Sequence, residues 1–184
     1  MKKLPRAFFD RDTVVVAKAL LGQYLVHIVR GKKYIGKIVE VEAYIGPQDL
    51  ACHSARGLTK RTAVMFGPPG HAYVYLIYGM HHCMNVVTES EGHASAVLLR
   101  ALEPVENIAT RTQGPGLLSR AMHITTTLNG YDLTSSQTFY IAENISPEAI
   151  DIVAKPRIGV EYAGKWKDEL LRFYVKGNPF ISKK

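Results

Sequence analysis

The stretch Lys37-Ile38-Val39-Glu40-Val41-Glu42-Ala43-Tyr44 alternates apolar and polar residues almost one by one. Successive side chains of an extended chain point to opposite faces, so this period of two is the signature of a half-buried β-strand. The alternation places Val39, Val41 and Ala43 on a core face and Glu40, Glu42 and Tyr44 on the other. Gly31-Lys32-Lys33 reads as a turn, with a strand from Gln23 to Arg30 before it and a longer one from Tyr34 to Tyr44 after it. Together these form a hairpin.

The rest of the chain follows the same local rules. Asp12 caps a helix over 13–21, and Gly22 stops it. A loop punctuated by glycine and proline runs from Gly46 to about Gly70. Strands are predicted over 71–78, 84–87 and 96–102, the last two joined by the polar turn Thr88-Glu89-Ser90-Glu91-Gly92. Helical segments are predicted over 105–111 and 116–123, and two late strands over 139–142 and 171–175. Strands outnumber helices and their connections are hairpin-like, which predicts an α+β fold with a mostly antiparallel sheet.

With 184 residues, the chain fits one domain spanning 1–184. An apolar fraction of 47% with 21% charged residues excludes a disordered chain. No apolar run reaches ~20 residues, and none follows the basic N-terminus at signal-peptide length, so a cytoplasmic protein with no membrane partner is expected. Cys52 and Cys83 form no CxxC pair, which disfavours a zinc ribbon or disulfide scaffold. The formal charge of +7 points to a polyanionic partner, nucleic acid before membrane.

Three groups of residues carry potential chemistry. Glu40 and Glu42, at i and i+2, lie roughly 7 Å apart, a spacing shared by a solvated strand face and by inverting glycosidases. Tyr44 and His53 follow, so an aromatic ring and an imidazole can gather beside an acid. Tyr73 and Tyr75 project to one face, whereas Tyr78 has the opposite parity unless the chain bends at Gly79. Such tyrosines serve either as core or as a stacking platform for bases. His81-His82-Cys83 alternates faces, so no metal site is expected there. Gln113-Gly114-Pro115-Gly116 can offer backbone N–H groups to a phosphate at a helix start, without P-loop spacing.

The string Glu40-Val41-Glu42-Ala43-Tyr44-Ile45-Gly46-Pro47, with Asp49 and His53-Ser54 behind it, resembles the alkyladenine (3-methyladenine) DNA glycosylase family. So do Thr59-Lys60-Arg61 with Met65-Phe66, the run from Tyr73 to Asn85, and the run from Val97 to Pro104. Arg157-Ile158-Gly159-Val160 and Leu171-Arg172-Phe173-Tyr174-Val175 match as well. The resemblance implies a curved sheet with flanking helices and a protruding β-hairpin. It also implies a cofactor-free, monomeric enzyme of base-excision repair, acting on double-stranded DNA. Such an enzyme flips alkylated purines such as 3-methyladenine and 7-methylguanine and hydrolyses their N-glycosidic bond without strand cleavage.

Carried onto this chain, Glu42 matches the carboxylate that activates water. Arg100 and the carbonyl of Ile158 match the groups that hold that water. Tyr44, His53 and Tyr75 match the walls of the base pocket, Asn85 matches the side chain that screens purine exocyclic groups, and Tyr78 matches the wedge that fills the vacated stack. The acidic turn 88–92 lies in a stretch longer than in vertebrate members, and no DNA contact is expected from it. The alternatives are a damaged-DNA-binding protein without catalysis and a carbohydrate glycosidase using Glu40 with Glu42.

Overall fold

The computed structural model of the chain describes residues 1–146 and 149–184. Its helices are α1 (Arg6–Phe9), α2 (Thr13–Leu20) and α3 (Pro115–Ala121), with short 3-10 turns between strands. Its strands are β1 (Tyr24–Val29), β2 (Lys32–Tyr44), β3 (Ala72–Ile77), β4 (His81–Thr88), β5 (Ser95–Glu106), β6 (Phe139–Ala142), β7 (Ile152–Lys155) and β8 (Arg172–Val175). The fold is α+β: the strands form one sheet, ordered β3-β4-β5-β2-β1-β6, with β8 also on β2 and β7 on β8. All pairings among the described residues are antiparallel.

The 13-residue strand β2 is the spine of this sheet. One edge of β2 pairs with β5 along most of its length. The other edge is shared, with β1 on the first half and β8 opposite Glu40, Val41 and Glu42. The acidic half of β2 therefore lies between two strands. That explains why Glu40 and Glu42 are fully buried.

The register between β2 and β5 slips three times, at Ile35/Gly36, Ile38/Glu40 and Glu40/Val41, leaving Val105, Val39 and Arg100 as extra residues. Each bulge bends its strand and re-aims a side chain. The bulge at Val39 corrects the expected alternation. Val39 packs with Ala101, Tyr174 and Ile181, while Ile38 joins Val41 and Ala43 in the main core. A one-residue slip exchanges faces, and the sequence pattern carries no mark of it.

The main core lies between this sheet and the helices. Asp12 accepts a hydrogen bond from Val15 N and caps α2, whose Val16, Ala17 and Leu20 are fully buried. Burial of a side chain such as Leu20 stabilises the fold by about 1.5–3 kcal/mol. On the other flank, α3 packs against β4 and β5. The acidic turn has a structural role, because the Glu89 carboxylate accepts from Thr13 N at 3.2 Å and from the Thr13 hydroxyl at the start of α2.

Two expectations are corrected, and one strand went unforeseen. The helix expected over 105–111 is absent, because β5 continues to Glu106 and pairs there with Ile35. Strand β4 begins three residues earlier than predicted, since His81, His82 and Cys83 pair with Ile77, Leu76 and Tyr75. Strand β7 gave no sequence signal: it is short, largely exposed, and held by β8 alone.

Candidate active site

At the carboxylate end of β2 the sheet carries a cavity of about 220 Å³. Glu42, Tyr44, His53, Tyr75, Tyr78, Asn85, Arg100 and Ile158 all line it, so residues scattered over more than a hundred positions meet at one place. Tyr73 completes its aromatic wall, and the Cys83 thiol lines the cavity as well.

Glu42 is the acid at the floor, with both oxygens engaged. Its Oε1 accepts from Ile158 N at 2.8 Å and lies 3.1 Å from Nη1 of Arg100. Its Oε2 accepts from the Tyr44 hydroxyl at 2.9 Å. Burial and the neighbouring Glu42 charge push the Tyr44 phenol well above its ordinary value, so it remains a donor. Arg100 reaches the acid because it occupies the bulge on β5. Its carbonyl accepts from Gly114 N at 3.0 Å, which anchors the bulged residue. Burial works against the Arg100 charge, but Glu42 and Glu40 outweigh it and hold the guanidinium ionised.

Ile158 is positioned by the residue before it. Arg157 makes a two-pronged ion pair with Asp49, with Nη2 at 2.8 Å from Oδ1, and donates from Nη1 to Ala43 O at 2.9 Å. Its guanidinium also stacks 4.7 Å from the Tyr44 ring centroid. This buried clamp ties the loop after β2 to the 157–158 segment and aims the Ile158 N–H at Glu42. Sequence reading gave the Arg157–Asp49 pair no role, because 108 residues separate its members.

The wall is built by edge-on aromatic contacts. The His53 and Tyr75 centroids lie 4.6 Å apart at 63°, and Tyr73 and Tyr75 lie 5.3 Å apart at 41°. His53 Nδ1 is 2.8 Å from the Tyr73 hydroxyl. Burial first, then the charges of Arg61 and Arg56, lower the His53 pKa to about 4, so the imidazole is neutral at pH 7. Arg61 sits 4.9 Å from the Tyr75 ring centroid, a contact its neighbours in sequence do not foretell. Asn85 is buried and donates from Nδ2 to Tyr73 O at 3.0 Å, which fixes its amide plane in the wall.

Tyr78 stands apart from this wall. It is 84% exposed at the tip of the β3–β4 hairpin. Tyr78 and Gly79 both have positive φ, +52° and +68°, and Met80 N donates to Ile77 O at 3.2 Å. That is the sign pattern of the turns that suit a twisted hairpin. The chain thus bends at Tyr78 itself as well as at Gly79, and the parity of Tyr73 and Tyr75 ends at Ile77.

Two other sequence motifs find different uses. The Gly114 N–H is taken by Arg100 O and Thr112 O, so the Gln113–Gly116 segment packs the fold rather than cradling a phosphate with it. A Cβ at Gly116 would come within 3.1 Å of the His81 ring, so glycine there allows close approach of α3 to β4. Among the described residues, no three His, Cys, Asp or Glu side chains group to hold a metal ion.

Comparison with known proteins fits this geometry. Residues 7–179 match the family described as methylpurine-DNA glycosylase (MPG). The chain belongs to the methylpurine-DNA glycosylase family. A protein of Legionella pneumophila (strain Corby) named "Putative 3-methyladenine DNA glycosylase" is 67% identical over 183 residues, covering 100% of both chains. Proteins of the same name from Anaeromyxobacter dehalogenans and Myxococcus xanthus are 51% and 50% identical. They cover 98% and 100% of this chain and 86% and 95% of their own lengths. Membership extends over β1 to β8, so every strand that lines or braces the cavity is family structure.

Proposed function

We propose that the chain is a monofunctional DNA glycosylase of base-excision repair. In this reading it turns alkylated purines such as 3-methyladenine and 7-methylguanine out of duplex DNA and hydrolyses their N-glycosidic bond. The observation that carries it is one fully buried carboxylate, Glu42, held by three donors at the floor of an aromatic cavity. An apolar cavity of ~150 Å³ holds a benzene ring, so about 220 Å³ suits a fused two-ring base.

Glu42 accepts a proton from a water while the water oxygen bonds to C1′ of the sugar. The C1′–N bond breaks, and its electron pair passes to the base and cancels the positive charge that alkylation placed there. An alkylated purine is therefore a good leaving group, and a positioned carboxylate is the main requirement. The Ile158 carbonyl and Arg100 help to hold the water. Tyr44, His53 and Tyr75 flank the base, where stacking adds cation–π attraction. A neutral His53 adds no repulsion to a cationic base. Asn85 screens the exocyclic groups, and Tyr78 fills the gap left in the stack, offsetting unstacking of a few kcal/mol.

Among the described residues no lysine lines the cavity, so the reading invokes water rather than an amine as the nucleophile. Cys52 and Cys83 are free, buried thiols, which suits a reducing cytoplasm, and the reading has the chain act on duplex DNA as a monomer. A sugar-cleaving pair of Glu40 and Glu42 loses support because Glu40 is spent on Arg100, Arg172 and Ser182. The test is incubation with a duplex bearing 7-methylguanine. Release of the free base with an uncut abasic strand is expected. Tight lesion binding with no release would instead identify a damaged-DNA-binding protein.

A further inference from the structure

The match to the family ends at residue 179, yet the last residues of the chain reach into the buried charge network behind Glu42. Ser182 makes three contacts there. Its N–H donates to Glu40 Oε2, its hydroxyl donates to Glu40 Oε1 at 2.9 Å, and the same hydroxyl accepts from Arg100 Nη2 at 3.3 Å. Arg100 is thus held at three points, by Glu40 through Nε at 3.2 Å, by Glu42 through Nη1 at 3.1 Å, and by Ser182.

Arg172 closes the arrangement. Its Nη1 is 3.0 Å from Glu40 Oε1 and donates to Lys183 O at 2.7 Å, while its Nε donates to Pro156 O at 3.0 Å. Pro156 lies two residues before Ile158, so one guanidinium links the tail, Glu40 and the segment that presents the Ile158 N–H. Ile181 is buried against Val39, Ala101 and Tyr174, beside the bulges at Val39 and Arg100. The tail therefore has an apolar anchor and a polar end that reaches the acid pair.

We propose that Ile181–Lys183 is a strap that fixes Arg100 against Glu42, with Ser182 and Glu40 as positioning residues for the hydrolysis. This inference rests on the glycosylase reading above. Glu40 does not touch substrate in it. Its carboxylate balances Arg100 and Arg172 and turns the Arg100 fork so that one nitrogen is left for Glu42.

Single-turnover release of 7-methylguanine, with enzyme in excess, tests this. Wild type is compared with Ser182→Ala, Ser182→Thr and a chain ending at Phe180, each below its melting temperature. Loss of a hydrogen bond to a charged group predicts ~10-fold slower release by Ser182→Ala. Affinity for a duplex with an abasic-site analogue should stay within about twofold, and Ser182→Thr should restore most of the rate. In an Arg100→Ala background, Ser182→Ala should slow release no further, because the two act as a unit. Wild-type rates in both Ser182→Ala and the shortened chain would overturn the strap. An equal slowing by Ser182→Ala in the Arg100→Ala background would also overturn it. If the shortened chain does not fold, the point substitutions decide. Absence of base release by the wild type would overturn the glycosylase reading, and the strap's role in hydrolysis with it.

Discussion

Glu42 is held by a backbone N–H, a guanidinium and a phenol, and Glu42→Gln keeps its shape while removing its charge. An amide oxygen still accepts from Ile158 or Arg100 but takes no proton from water. Base release should fall by at least ~10²-fold, the lower end of what a general base contributes. Binding of lesion-bearing duplex should persist. Single-turnover release near the wild-type rate would refute the assignment. His53 offers a second test through pH. Its folded pKa is lowered to about 4 from an ordinary 6.5, so between those values the unfolded chain binds the extra proton. The stability contributed by neutral His53 is fully present above about pH 6.5 and is lost as pH falls toward 4. Burial lowers His27 as well, so the His53→Asn protein should retain some slope, but a shallower one than wild type. Denaturant titrations across pH 4–7 compare the two, and identical slopes would show that His53 is solvated.

Among the elements, the β3–β4 hairpin carries a buried tyrosine, Tyr73, and an exposed one, Tyr78. Tyr78 buries little, so Tyr78→Ser should leave the melting temperature within ~4 °C of wild type, the shift expected for about 1 kcal/mol in a chain of this size. The same change should weaken capture of a flipped base, and a pre-unpaired lesion should rescue part of the loss. A much lower melting temperature with normal release would place the ring in the core. Strand β3 was legible because Tyr73 and Tyr75 alternate and Gly79 marks a bend, while the protruding hairpin came from the resemblance to a family. Strand β5 was not fully legible, because Ser95 to Leu102 is buried on both faces and shows no period of two. Its bulge at Arg100 follows from pairing with β2, a relation between distant segments that no local pattern records. The resemblance to a family supplied Arg100 and Ile158 where periodicity could not. The resemblance matched Asp49, Arg157 and Arg172 without giving them a role, and neither route reached Ser182; the carboxylates these residues bind lie 108 to 142 residues away.

Across the whole molecule, charge divides into two populations. Among the described residues, the buried charges are three carboxylates, Glu40, Glu42 and Asp49, against three guanidiniums, Arg100, Arg157 and Arg172. They cancel, so the surplus of +7 belongs to the side chains outside this buried set. These two populations should respond differently to salt. Surface cations that neutralise phosphates release counterions, so log K should fall with log salt at a slope between about −3 and −6. A buried pair is screened far less than an exposed one. Single-turnover release at saturating enzyme should therefore change less than ~2-fold between 50 and 200 mM salt, while affinity falls by orders of magnitude. A flat binding curve would mean that the surplus faces away from DNA. A release rate falling in step with affinity would mean that the Glu42–Arg100 pair is open to solvent in the complex, contrary to its burial in the free protein.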